Sequence, residues 1–201
     1  VFLIMPRLLE SRATMADEVT GLSGKQFIAQ IQISYDHPLV GSEAVAGLFP
    51  ALKDMTVRLV QRGEHAILPP FEDITLRPGD VVIVAATRQV LADALSSRGN
   101  ILATEPAERE EEGAAPREET SQLTLAEAVI APGSRMIGRT LEQSGLHAET
   151  GCIVLGIQRR SRMIRMRLSD IRLEAGDVIL VLGSREEVRG LRLNRDLLLV
   201  E

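Results

Sequence analysis

A chain of 201 residues, 45% hydrophobic and 25% charged, has the composition of a soluble globular protein and room for one domain or two small ones. Aromatics at 2% argue against a base-stacking surface for single-stranded nucleic acid, and a net charge of −5 argues against a basic phosphate-binding footprint. A single cysteine excludes an internal disulfide, and three scattered histidines offer no metal-ligand spacing.

In chain order, Val1 to Leu9 is apolar but falls far short of the roughly 20 residues that cross a bilayer. It also lacks the basic start and small-residue cleavage site of a secretory signal. It reads either as a packed terminus or as the trailing end of a membrane helix. From Phe27, apolar Phe27, Ala29, Ile31 and Ile33 alternate with Gln30, Gln32 and Ser34, which predicts a strand with one wet face. After Asp36-His37-Pro38 and Leu39-Val40-Gly41, a short helix is expected over Ser42 to Leu48. Strands are expected over Thr56 to Gln61 and around Ala66 to Leu68, joined by a hairpin turn at Arg62 to His65. Arg77-Pro78-Gly79-Asp80 fits a type II turn, followed by a buried strand Val81 to Ala85 and a helix from Thr87 to Ser97.

The pattern then recurs. Leu39-Val40-Gly41 returns as Met136-Ile137-Gly138, Gln61-Arg62 as Gln158-Arg159, and Asp73-Ile74-x-Leu76-x-x-Gly79-Asp80-Val81 as Asp170-Ile171-x-Leu173-x-x-Gly176-Asp177-Val178, each at an offset of 97 residues. Motifs that keep one offset mark a duplication. The second copy is expected to hold strands at 123–130, near 152–158, near 163–168 and at 178–182, with helices near 139–145 and at 184–191. Between the copies, residues 99–122 carry proline, glycine and alanine. Seven glutamates and two arginines between Glu105 and Glu119 account for the whole net charge. That stretch reads as an acidic flexible linker.

The fold class is therefore α+β: two tandem β-α-β-β-β-α modules, each a small, mainly antiparallel sheet with two helices. The expected boundaries are a terminal segment at 1–23, modules at 24–98 and 123–195, the linker at 99–122, and a tail at 196–201. Modules of about 70 residues have marginal cores and open sheet edges, so the copies are expected to pack on each other or on a second chain about a twofold or pseudo-twofold axis, giving a homo-oligomer.

Both halves resemble the C-terminal domain of regulators of potassium conductance, the RCK_C or TrkA-C family, on the three repeated motifs above. The family serves as a cytoplasmic sensor on channels and transporters. Two tandem copies resemble the cytoplasmic loop of divalent-anion:sodium symporter permeases, which implies the inner face of the bacterial membrane as location, a juxtamembrane stub at 1–23 and a tail leading back to the membrane at 196–201. It implies the protein's own transmembrane domain as partner and a small cytosolic nucleotide or organic anion as ligand. Aspartate:alanine exchangers and cation:proton antiporters carrying the same module, and a ligand-free dimerisation scaffold, are the alternatives. No G-x-G-x-x-G follows a strand, so no NAD or ATP cofactor is implied.

Catalysis is not expected: Glu64, His65 and Asp73 have no nucleophile or orienting group beside them in the pattern. Asp80 and Asp177 are expected to bond backbone amides of their turns. Arg62 and Arg159 occupy one repeated position, where a guanidinium either grips a phosphate or carboxylate or pairs within its module with Asp73 or Asp170. With the apolar Val40 and Ile137, they form the candidate ligand pocket, expected where equivalent modules meet. Cys152, within Cys152-Ile-Val-Leu155, reads as a buried small hydrophobe. The run from Arg159 to Arg167, unmatched in the first copy, reads as a solvated strand face or a contact for anionic headgroups.

Overall fold

The computed structural model describes residues 25–96, 101–102, 123–160 and 164–200. The sequence-predicted stub at 1–23 and nearly all of the linker lie outside them. Eight strands are described: β1 (Gln26–Gln32), β2 (Thr56–Arg62), β3 (His65–Ile67), β4 (Asp80–Thr87), β5 (Thr124–Ile130), β6 (Ile153–Gln158), β7 (Val178–Gly183) and β8 (Leu197–Val200). The helices are α1 (Arg88–Ser96), α2 (Leu141–Ser144), α3 (Leu146–Thr150) and α4 (Arg185–Gly190). The α+β class and the mainly antiparallel pairing agree with the sequence reading.

The modules do not form separate sheets. All eight strands join one sheet in the order β3-β2-β4-β1-β6-β7-β5-β8. The join is made by β1 and β6, antiparallel, with Ile28 opposite Ile157 and Ala29 opposite Gly156. In the duplicated register β6 corresponds to β2, not to β1, so the copies meet through non-equivalent strands rather than about the expected twofold. Equivalent strands of the two copies run in opposite directions, and the second copy is turned over relative to the first.

That inversion places a core on each face of the sheet. On one face Phe27, Ala29 and Ile31 of β1 and Val82 and Val84 of β4 pack under Leu91 and Ala94 of α1, with Phe49, Phe71 and Leu76. On the other, Ala128 of β5 and Ile179 and Val181 of β7 pack under Leu146 of α3 and Val188 of α4. The expected wet face of β1 is partly covered, because the chain after β6 runs across it. Ile164 and Leu168 join Ile28, Leu59 and Ile83 in one apolar cluster, and the Leu168 amide donates to Gln30 Oε1 at 3.1 Å.

Two local expectations are corrected. Ser42 to Leu48 is not a helix: Ala46 and Gly47 take positive φ angles of 51° and 79°, and the segment makes isolated bridges from Glu43 to Thr75 and from Gly47 to Phe71. A 3-10 turn at Pro50–Leu52 follows. The strand near 163–168 does not form among the described residues 164–168, because β1 occupies the edge of β6 that a hairpin partner would need. The tail is ordered as β8, which pairs antiparallel with β5, Leu197 opposite Ile130. Ile101 and Leu102, within the stretch read as linker, pack on the first core.

Candidate functional site

The repeated motif Asp-Ile-x-Leu-x-x-Gly-Asp-Val differs at its first residue, Asp73 having a φ of 54° and Asp170 ending a 3-10 turn, and closes on the same turn twice. Gly79 and Gly176 take φ angles of 89° and 82°, which glycine adopts freely, and the turns close through Asp80 N–H to Arg77 O and Asp177 N–H to Glu174 O, both 3.1 Å. Each aspartate carboxylate then accepts a backbone amide, from Arg77 at 2.9 Å and from Glu174 at 2.8 Å. Turn and carboxylate together fix where β4 and β7 begin.

Both aspartates are buried, and their remaining lone pairs face the repeated arginines. Arg62 donates from Nε to Asp80 Oδ1 at 2.8 Å and from Nη2 to Oδ2 at 2.7 Å, and from Nη2 to Thr75 O at 2.8 Å. Arg159 repeats every bond, to Asp177 at 2.8 and 2.6 Å and to Arg172 O at 2.7 Å, and adds Glu174 at 2.9 Å. The pairing within each module is thus made with the turn aspartates rather than with Asp73 or Asp170. Burial pushes the Asp80 carboxyl up. The bonds from Arg62 and from the Arg77 amide, with the charges of both arginines, outweigh it and hold the carboxyl below the usual carboxylate range. Its contribution to stability is therefore present above the ordinary aspartate range and lost as pH falls through the lowered value.

Val40 and Ile137 are exposed in the turns beside these clamps, where Gly41 N–H bonds Leu76 O and Gly138 N–H bonds Leu173 O. Each module brings its own pair to one side of the 74–76 or 171–173 segment. The structure does not bring the two pairs together: β2 and β6 run in opposite directions, so Arg62 and Arg159 stand at opposite ends of the shared sheet. Within one chain the four residues do not line one pocket.

The arginine run is not a strand face. Arg159 is held by Asp177, Arg167 reaches Gly63 O at 3.3 Å, and Arg165 lines a cavity of the first module; Arg162 lies outside the described residues. This cavity, of about 340 Å³, lies among Phe49, Met55, Phe71, Lys53, Arg58 and Arg165. Arg58 occupies it because β2 is bulged between Val57 and Leu59, which leaves residue 58 without a partner on β4. Its Nε is buried and, among the described residues, bonds nothing. A buried donor left unpaired costs about 1–3 kcal/mol.

Sequence reading missed this group because it sought residues that the copies share. The signal was a difference: at the offset of 97, Arg58 aligns with Leu155 and Lys53 with Thr150. Leu155 sits at the matching bulge of β6 and is buried in apolar surroundings.

Cys152 is fully buried in the second core. Burial pushes its thiol up, Glu187 adds to this, and the bond with Thr150 offsets only part of it. A thiol reagent is expected to label Cys152 no faster than the second module unfolds, so adding urea in the pre-transition range should leave the labelling rate low. Prompt stoichiometric labelling of the native chain would contradict the packing described.

Among the described residues no helix is long and apolar enough to cross a membrane. The TrkA-C domain model matches the chain twice, over residues 28–97 and 125–194, at the spacing of the internal repeat. The chain is 30% identical over 204 aligned positions to the uncharacterized transporter sll0640 of Synechocystis sp., a match that takes in 100% of this chain and 33% of that protein. It therefore spans about a third of the length of the curated relative it matches. Among solved structures, the crystal structure of the GsuK RCK domain aligns at a TM-score of 0.31 with 11% identity, covering 86% of this chain and 67% of that one.

Proposed function

The chain belongs to the TrkA-C domain family through both of its halves, and from that premise we propose that it is the cytoplasmic regulatory unit of a multi-pass membrane transporter. It acts without catalysis, by sensing a small cytosolic ligand. The observation that carries this reading is the match of the whole chain to one third of a transporter. A sensor of this kind biases its transmembrane partner only through a difference in ligand affinity between two arrangements, so it needs a site whose shape changes with the arrangement. The two inverted copies share one sheet through the β1–β6 pair, so a change at that join would be felt by both.

Two tandem modules with no dinucleotide fingerprint in the sequence resemble the loop of a sodium-coupled anion transporter, and exchangers and antiporters that carry the same module are the alternatives. A scaffold without a ligand is the second reading. It is favoured by the fact that the forks of both Arg62 and Arg159 are already filled by aspartates.

The reading is tested on the complete reading frame that encodes these residues. It is expected to place runs of about 20 apolar residues on either side of them. The tagged product is expected to stay with the membrane after carbonate extraction, with these residues open to protease only from the cytoplasmic side. A product that leaves the membrane on extraction, or polar sequence on both sides, would overturn the transporter reading.

A further inference from the structure

The cavity around Arg58 has the composition of a binding site and lacks the groups that would make it a structural clamp. Three cations line it, Lys53, Arg58 and Arg165, and none of the residues lining it is an aspartate or glutamate. Elsewhere the described ion pairs follow the opposite rule: Arg62, Arg135 and Arg159 each face a buried aspartate at 2.6–2.8 Å. Among the described residues neither Lys53, Arg58 nor Arg165 makes an ion pair or a hydrogen bond, and the Arg58 Nε–H is shielded from water as well. That atom is closed to a molecule the size of water, so an anion entering the cavity would be met by the remaining guanidinium N–H groups of Arg58.

The opposite wall is apolar and partly aromatic. Phe49 and Phe71 are buried with ring centroids 5.4 Å apart, and Leu48, exposed on the surface, stands at the rim. A site lined by unpaired guanidinium donors and by apolar side chains selects a molecule with the same two halves. The duplication supplies an internal control. In the second copy the matching positions are Leu155 and Thr150, and the bulge is filled by apolar packing instead. The fold thus tolerates leucine at the bulge, and the arginine of the first copy is not required to build the strand. Arg165 comes from the segment that crosses from the second module, so an occupant would touch both copies at once.

We infer that this cavity binds a small organic anion, a phosphate or carboxylate carried on an apolar body, with Arg58 and Arg165 gripping the charged group and Phe49 and Phe71 facing the apolar part. The site gives the regulatory reading a ligand class and rests on that reading for its biological role only; binding itself is a property of this chain alone.

Phenyl phosphate, titrated into the full 201-residue chain by calorimetry, is the probe. Saturable binding with a Kd below about 1 mM is expected, at least about tenfold tighter than inorganic phosphate, which lacks the apolar half. Benzyl alcohol, which lacks the charge, is expected not to saturate. Arg58→Leu installs the residue of the other copy and should keep the unliganded melting temperature while weakening binding by about tenfold or more. Arg165→Ala, at an exposed position, should weaken it without touching the core. No saturable phenyl phosphate binding would overturn the inference, as would full affinity in both variants, or benzyl alcohol or inorganic phosphate binding as tightly as the probe. None of these results bears on whether the complete protein resides in the membrane, which the extraction experiment decides.

Discussion

Replacing Asp177 by alanine is expected to remove about 3 kcal/mol of stability, because Arg159 loses its buried partner and keeps only the part-exposed Glu174. The carboxylate is 2% exposed and the Arg159 side chain 11%, so water does little to rescue the guanidinium once the aspartate is gone. The loss reaches beyond the pair. Asp177 also holds the Glu174 amide at 2.8 Å and thereby the turn from which β7 starts, and β7 lies between β5 and β6. Against a total of roughly 5–15 kcal/mol for a domain, that is a fifth or more of the total. A urea titration followed by far-UV circular dichroism should show the midpoint fall accordingly. The paired change Arg159→Met with Asp177→Leu is expected to lose much less than Asp177→Ala, since it removes both charges and leaves apolar groups in their place. Equal losses would mean that the turn bonds, not the ion pair, carry the effect. Asp80→Ala is expected to be milder, because the Arg62 side chain is 33% exposed and can rehydrate.

Much of this was open to sequence reasoning because duplication turns weak motifs into strong ones. The glycine-aspartate turns, the strands that follow them and the arginines at the repeated position all fall where the shared residues placed them. What escaped was decided by how the copies meet. Ser42 to Leu48 has helical composition, yet its amides and carbonyls are drawn into bridges with the 71–76 segment, a tertiary demand that local propensity does not encode. The segment after β6 has strand-like alternation, but its pairing edge is taken by β1 of the other copy. The tail Leu197 to Val200 fills the free edge of β5, a pairing that its apolar composition alone does not specify. A register-preserving repeat says that two folds are alike and nothing about which edges they share. The Arg58 cavity was missed for the same reason in reverse, since a search for shared residues passes over the position where the copies chose differently.

The join between the copies rests on one residue of that kind, and Gly156→Leu is expected to break it. At the matching position of the first copy stands Leu59, buried in the core, so leucine is compatible with the strand itself. It is not compatible with the neighbour. A Cβ on Gly156 would lie 2.9 Å from the Ile28 carbonyl oxygen and 3.2 Å from Phe27 Cβ, and the first of these is backbone that no rotamer change can move aside. The strands must separate at the two positions where they pair, Ile28 to Ile157 and Ala29 to Gly156, with a loss of about 1–3 kcal/mol or more. Because each core borrows residues from the other copy, Leu155 and Leu180 in one and Ile28 and Ile83 in the other, the native chain is expected to unfold in one transition. In the variant the modules should melt separately, giving two calorimetric peaks where there was one. Amide exchange at Ile28 and Ile157 should rise before that of Ile83 or Ile179, which lie within single modules. A single transition at an unchanged temperature would show that the copies do not share the sheet.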